Sequence, residues 1–534
     1  MRILLCMFLT FLTLNVNAGS ELRKVGTAIQ LFVDGKPMLV LGGEVSNSAV
    51  TNVQDIKKVM RQMAEIGHNT VFVPAYWDLL EPEEGHFDYT LTDSVISEAK
   101  KNNLKVVFLW FGAWKNSMSC YAPLWFKKNT RRFPRAFTAD GKQMEIASAF
   151  SENVLSADKN ALSALMHRID KDDPKHDIVV MMQVENEIGM LESARDHSHL
   201  AEKTFLKSSF AMDQKSFSLE DEERFQAEYY AKYVEVLAKT VKNIIEMPVY
   251  VNAALNSRGR KPGEYPSAGP LAHLFTVWRK YAPDVDIFAP DIYDEGFKKW
   301  VLQYKVNDNP FFTPETKLCD GSGVRAMYVF GEVDAIGYST FAIDQNLNTL
   351  ALHNVNMAYG ILNQLQPIIL ANQGKGNIHG LLFTRDDNER VIKDGDIIIT
   401  CRHYLTLPWD PRAKDGSLWP ETGGLIIKLA PDEYLIAGCG IVASFQTFSE
   451  IRQEEKKQIG EDGFMLEGKH NLLASNHKFI GKRVGIGYVD QVSVDADGTL
   501  KYIRRDNGDQ DHQGRHARIS IDDYKILHIK LYDY

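Results

Sequence analysis

Ile178-Val179-Val180-Met181-Met182-Gln183-Val184-Glu185-Asn186-Glu187-Ile188-Gly189 carries the strongest fold signal in the chain. An apolar run of strand length ends abruptly in a polar cluster. A buried strand that emerges into adjacent amide and carboxyl groups is how a β/α barrel presents working side chains at the C-terminal ends of its strands. The Asn186-Glu187 pair suits glycoside chemistry: a carboxylic acid can protonate a leaving oxygen while the neighbouring amide binds a sugar hydroxyl. The plainer alternative is a strand-end glutamate that only caps the next helix.

Working outward, Met38 to about Ala371 alternates short apolar runs with longer amphipathic stretches. The expected strands are Met38-Gly42, Thr70-Pro74, Lys105-Trp110, Asp177-Val184, Pro248-Asn252, Asp286-Pro290, Ala326-Gly331 and Gln366-Leu370. The expected helices between them include Asn52-Ile66, Leu91-Asn102, Asn160-Asp170, Glu220-Glu246 and Gln345-Gln364. Such alternation implies a parallel sheet, and eight units suggest a closed (β/α)8 TIM barrel, an α/β fold, over residues 19–375. A doubly wound open sheet is the runner-up, weakened because no glycine-rich phosphate loop follows the first strand. From residue 376 to 534 the texture changes to short β-like runs, such as Gly424-Leu429, Glu433-Gly438 and Lys525-Leu531, separated by Pro431-Asp432, Asp497-Gly498 and Asn507-Gly508 turns. This reads as a C-terminal antiparallel β-sandwich-type domain. Asp506-Asn507-Gly508-Asp509-Gln510-Asp511 has a calcium-loop flavour but lacks the glutamate at position twelve, and reads as a turn.

The chain has 534 residues, a span for roughly two to four domains. A net charge of −9 argues against nucleic acid as the main partner. Arg2, the apolar run Ile3 to Leu14 and the small residues Val16 and Ala18 read as a secretory signal over residues 1–18, cut after Ala18. That run is too short to span a bilayer, so the expectation is an exported periplasmic or extracellular protein without a membrane span. Export leaves Cys120, Cys319, Cys401 and Cys439, which carry no C-x-x-C spacing; one disulfide or four free thiols are both open. The 15 histidines show no metal-ligand spacing, so neither a metal nor another cofactor is expected.

On the barrel reading, residues just past each strand share one mouth. They include Glu44, then Tyr76, Trp77 and Asp78, then Trp110, Trp114, Lys115 and Asn116, then Glu185, Asn186 and Glu187. Asn252, Asp291, Tyr293 and Glu332 complete the set. Glu187 and Glu332 are the expected catalytic pair, because strands four and seven face each other across an eight-stranded mouth. Carboxyls ~5–5.5 Å apart there can work by double displacement. That chemistry needs a raised pKa on Glu187 and an ionised nucleophile. Tyr293 is placed to hydrogen-bond the nucleophile. Glu44 is a candidate for a sugar hydroxyl, and of the three tryptophans Trp114 is the favoured stacking platform.

These residues resemble a known family. Met182-Gly189 looks like the acid/base motif of family-35 glycoside hydrolases, the β-galactosidases. Asn69-Thr-Val-Phe-Val-Pro-Ala-Tyr-Trp-Asp-Leu-Leu-Glu-Pro-Glu-Glu-Gly-His-Phe-Asp-Tyr89 looks like that family's second-strand signature. Ala289-Tyr293, Glu433-Gly438 and Arg505-Asp509 are similar to segments of its bacterial branch, which carries a β-rich C-terminal domain. The resemblance implies Glu187 as acid/base, Asn186 as binder of the sugar 2-hydroxyl and Glu332 as nucleophile. Glu332 is followed by Val333-Asp334-Ala335 where many members have an aromatic-rich segment, which makes Asp334 the fallback. Lys115 and Asn116 stand where many members place a galactose-contacting Cys-Ala-Glu-Trp segment. Tyr76 and Asn252, read from their places at the strand ends, are further candidate substrate contacts. The implied activity is that of a secreted retaining exo-β-galactosidase on oligo- or polysaccharides. The alternatives are a glycosidase for another sugar such as α-L-arabinopyranose, or a non-catalytic carbohydrate-binding protein on the same fold.

Overall fold

The computed structural model describes residues 19–208, 217–306, 308–453, 479–507 and 516–534. The expected signal segment lies outside the described residues, as do Gly508 to Asp511 of the expected acidic turn. Asn507, at its start, accepts a hydrogen bond from the Val489 amide at 3.0 Å, and Asp506 pairs with Arg504, so both brace a strand edge.

Eight parallel strands close into a barrel. In order they are Val40–Glu44, Thr70–Tyr76, Lys105–Phe111, Val179–Gln183, Val249–Ala254, Ile287–Ile292, a broken seventh strand and Gly337–Thr340. The seventh consists of Phe312–Thr313 and Glu315–Thr316, interrupted at Pro314. Its first half pairs with the eighth strand and its second half with the sixth. The eighth strand then pairs with the first, from Gly337 opposite Val40 to Thr340 opposite Gly43, which seals the circle. Strands buried on both faces read as near-continuous apolar runs, and Val71-Phe72-Val73 and Val106-Val107-Phe108-Leu109 do so here. At the closing seam only a small residue fits, since a Cβ on Gly337 would lie 2.5 Å from that of Val40.

The intervening helices start where side chains cap them. Asn52 accepts from the Asp55 amide at 2.9 Å, and Thr349 accepts from Leu352 at 3.2 Å. Ser218 opens the helix Leu219–Ile244 with a reciprocal capping box to Asp221. No described helix is long and apolar enough to cross a membrane.

Two of the eight expected strands are helical. Ala326-Gly331 lies inside the helix Ser322–Glu332, and Gln366-Leu370 lies inside Leu350–Asn372, which carries Pro367. Short apolar runs do not distinguish a buried strand from a buried helix, and Ser322–Glu332 is covered on both sides. One side faces the barrel, while the other packs against the sheet beyond it. A Cβ on Gly331 would lie 2.9 Å from the Gly380 backbone, so helix and sheet meet nearly backbone to backbone.

Past the last barrel helix, two antiparallel sheets stack. The six-stranded sheet runs Ile378–Phe383, Thr422–Ala430, Glu433–Cys439, Lys525–Asp533, Val484–Val494 and Leu500–Arg505 in spatial order. The four-stranded sheet runs Glu389–Asp394, Ile397–His403, Ile441–Thr447 and His516–Ile519. Alternation along one strand divides the labour. Leu425 and Ile427 belong to the core shared with the barrel, while Ile426 between them packs into the space between the sheets. Arg325 also grips Glu421 with two bonds, at 2.7 and 2.9 Å, across this junction. The four cysteines outside the expected signal are free thiols.

Candidate active site

The fourth barrel strand ends at Gln183, and its continuation is contorted in a useful way. Glu185 and Glu187 both take left-handed backbone conformations, with φ of 59° and 46°. Such conformations cost non-glycine residues of order 1–2 kcal/mol each. The neighbouring loop holds them in place. The Asn186 amide donates to the Trp114 carbonyl at 3.2 Å, Asn116 donates to the Asn186 carbonyl at 3.1 Å, and Ser117 donates to that of Glu187 at 3.2 Å. Glu185 turns back under the loop and accepts from the Trp114 amide at 2.7 Å. Glu187 faces the mouth.

From the fifth strand, Asn252 Oδ1 accepts the Glu187 amide proton at 2.9 Å, while its Nδ2 donates to Asp291 Oδ2 at 2.7 Å. Asp291 and Glu315 are register partners on strands six and seven, so their side chains leave the sheet on the same side. One carboxylate oxygen from each of Glu187, Asp291 and Glu315 lies within 4.8 Å of the others. Tyr293 donates its phenolic proton to Glu315 Oε1. Glu44, at the end of the first strand, is buried against the same group. Lys115 supplies the positive charge, with Nζ 2.8 Å from Asn186 Oδ1 and 4.8 Å from the centre of the Phe111 ring.

Crowding carboxyls in a dry site raises their proton affinity. Burial is the largest cause at each. Glu187 is pushed up to about 7, by burial first and the charge of Glu315 second, against the pull of Lys115 and a hydrogen bond with Asp291. Glu315 is raised by burial but held down by Lys115 and by the Tyr293 hydroxyl. Asp291 and Glu44 are raised well above the ordinary carboxylate range, by burial and then by Glu315. Three carboxylates at this spacing are also hard-cation donors. In this chain, retained protons and the Lys115 ammonium already reduce the negative charge. Several polar atoms in the site are buried without a protein partner: Glu44 Oε1, Asn186 Nδ2, Asp291 Oδ1 and Glu315 Oε2.

The structure therefore brings Glu187, Asn186, Asn252, Tyr293, Glu44 and Lys115 together, and it corrects the other half of the expected pair. Glu332 is the last residue of the helix Ser322–Glu332 and lies at the junction with the β domain. Its carboxylate accepts from Arg390 at 2.5 and 3.2 Å and from the Gly380 amide at 3.2 Å. The physical reason is the misread helix: with no strand at Ala326-Gly331, the residue after it does not reach the mouth. Asp334 fares no better as fallback, since it accepts from the Gly374 amide at 3.2 Å near the end of the last barrel helix. The residue missed is Glu315, 22 residues after Tyr293, whose signal is faint: Phe311-Phe312-Thr313, then Pro314.

Trp114 is also corrected. It is fully buried, with Tyr230 and Tyr233 packed edge-on at 5.6 and 4.8 Å, so it is core and not a platform. Trp77 and Trp110 are equally buried, with their indole N–H groups on Glu81 and Asp158. Tyr76 is turned aside, donating its hydroxyl proton to the Asn47 carbonyl at 2.7 Å. The exposed Asn116 contributes its backbone amide to Asn186, as above.

Comparison with known proteins adds two family matches. Residues 48–236 match a model described as "Beta-galactosidase" (Glyco_hydro_42), and residues 355–518 match a domain of unknown function, DUF5597. No curated protein matches the chain. Among solved structures, a GH42 β-galactosidase from G. stearothermophilus is 15% identical, covering 62% of this chain and 57% of its own, with a TM-score of 0.49. A polyextremophilic β-galactosidase from the Antarctic haloarchaeon Halorubrum lacusprofundi is 14% identical over 61% of this chain and 58% of its own, with a TM-score of 0.46. The chain thus spans less than two thirds of these structures' own length. The "Beta-galactosidase" match contains Glu187 and the loop that holds it.

Proposed function

We propose that the chain is an exported, retaining exo-β-galactosidase with Glu187 as acid/base and Glu315 as nucleophile. One observation carries the reading. Two carboxyls from strands four and seven approach to within 4.8 Å, the first raised to about 7 and the second also raised by burial, though less, because Lys115 and Tyr293 oppose the rise. That asymmetry is what double displacement needs. Glu187 gives its proton to the glycosidic oxygen as Glu315 attacks the anomeric carbon, and the aglycone leaves as an alcohol. Glu187, now ionised, takes a proton from water, which attacks the anomeric carbon and frees Glu315. Galactose as the sugar rests on the family description matching residues 48–236. The motifs at 69–89 and 182–189 resemble family 35, whereas the matching model is that of family 42. The proposal needs only the β-galactoside chemistry common to the two descriptions.

Hydrolysis of an aryl β-galactoside, followed by NMR for the anomer released first, tests the reading, with an aryl α-L-arabinopyranoside alongside. Glu187→Gln and Glu315→Gln are expected to lose at least about 10³-fold in rate, while Glu332→Gln stays near wild type. Release of the inverted anomer, or an active Glu315→Gln, refutes the mechanism. A clear arabinopyranoside preference refutes the sugar. Export is checked by N-terminal sequencing of the secreted chain, expected to begin near Gly19.

A further inference from the structure

We infer that Lys115 is a positioning residue that turns Asn186 towards the sugar 2-hydroxyl, so that recognition of this hydroxyl depends on an ammonium group that does not itself touch it. This rests on the glycosidase reading above.

The argument begins with what an ammonium can do. Lysine has three N–H donors and no acceptor. Its Nζ lies 2.8 Å from the side chain of Asn186, so the amide must present its oxygen there. The orientation of the amide is thereby fixed by chemistry. Lys115 is itself immobilised: it is buried, it exchanges backbone bonds with Met118 at 2.7 and 3.0 Å, and its segment runs as a parallel bridge beside Asn186. Phe111 lies under the ammonium.

With Oδ1 turned to Lys115, Nδ2 and its two protons face the other way. That nitrogen is buried and has no protein partner. An unsatisfied buried donor costs about 1–3 kcal/mol, a cost that an acceptor on the ligand relieves. Glu315 Oε2 is the complementary case, a buried acceptor without a donor. A hydroxyl both accepts and donates, and so can serve the two atoms at once. Of the sugar hydroxyls, the one on C2 lies beside the carbon that Glu315 attacks. Lys115 thus acts on the substrate through Asn186, in contrast to the direct galactose contact that the family resemblance implies for this position.

The test compares kcat/KM for an aryl β-galactoside and its 2-deoxy counterpart in the wild-type chain, Lys115→Met and Lys115→Arg. Wild type is expected to prefer the 2-hydroxylated substrate by about 10²–10³-fold, given that contacts to this hydroxyl supply several kcal/mol in the transition state. Lys115→Met should cut the preference to about tenfold or less; the rates on both substrates fall as well, because the lost charge no longer opposes protonation of Glu315, and the ratio separates the two effects. Lys115→Arg, which keeps a donor for Oδ1, should restore most of it. The readout is a ratio within one preparation, so partial misfolding cancels. Full discrimination retained by Lys115→Met, or equal losses on both substrates, overturns the inference. A wild-type chain inactive on both overturns the glycosidase reading instead.

Discussion

Replacing Glu187 with glutamine is expected to leave stability unchanged near pH 4.5 and to raise it above pH 7. The folded protein holds the Glu187 proton up to about pH 7, chiefly because of burial and of Glu315, against an ordinary value of 4.5. A carboxyl with a raised folded pKa binds its proton more tightly in the folded state. Its contribution is therefore fully present below pH 4.5 and is lost as pH rises to about 7. At about 1.4 kcal/mol per pKa unit, that loss amounts to about 3 kcal/mol. Glutamine has nearly the same shape and never ionises, so above pH 7 the variant avoids the whole penalty. Unfolding entropy of about 2 cal/mol/K per residue, over roughly 500 residues, converts this to a rise in Tm of about 3 °C. Thermal unfolding of both proteins at pH 4.5, 6 and 8 gives the comparison. The expected difference is near zero at the lowest pH, intermediate at 6 and full at 8. A constant difference across the range, or a variant less stable at pH 8, refutes the claim that Glu187 carries a proton forced on it by its surroundings. The same proton makes Glu187 an acid, so the alkaline limb of wild-type activity should fall over the same interval.

Three further outcomes follow from the same geometry. Tyr293→Phe removes a hydrogen bond that lowers the Glu315 pKa, so the acid limb of the pH–rate profile should move to higher pH; an unmoved limb refutes that role. Trp114→Phe should cost about 1–3 kcal/mol in denaturant unfolding, as a truncated core side chain does, with KM unchanged. A KM rise of tenfold or more would restore the stacking platform. Arg390→Met leaves Glu332 without its main partner and should destabilise the barrel–sandwich junction by about 1.5–3 kcal/mol, while kcat stays within a few-fold; a large fall in kcat would return Glu332 to the reaction.

Strands one to six were legible because their signal is strong and local. Each is a run of at least five residues, buried throughout or nearly so, and followed by polar residues that reach the mouth. Glu44, Asn186, Glu187, Asn252 and Tyr293 all follow from those six. The seventh and eighth strands lack such a signal. Phe312–Thr313 and Glu315–Thr316 are split by a proline that cannot donate to the ladder. Gly337–Thr340 is short and mostly small or polar, buried because barrel closure leaves little room at the seam and not because it is greasy.

The same deficit explains the direction of the error at Glu332. A barrel helix normally shows an apolar stripe and a wet face. The helix Ser322–Glu332 has a barrel on one side and a β-sheet on the other, so Ala326-Met327-Tyr328-Val329-Phe330-Gly331 is buried all round. Such a run has the texture of a central strand. The added domain thus disguised a helix as the missing strand, and the glutamate at its end inherited a role that belongs to the mouth. What distinguishes the two glutamates physically is the counter-charge. Arg390 holds Glu332 in a bidentate pair, where an always-charged guanidinium keeps the carboxylate occupied. Glu315 accepts from a neutral phenol on one oxygen and has no protein donor on the other, with Lys115 acting only through its charge, which suits the nucleophile role proposed for it. A search for the proposed nucleophile in related sequences would therefore do better to look for a glutamate just after a Phe-Phe-Thr-Pro break of this kind than for one at the end of the longest remaining apolar run.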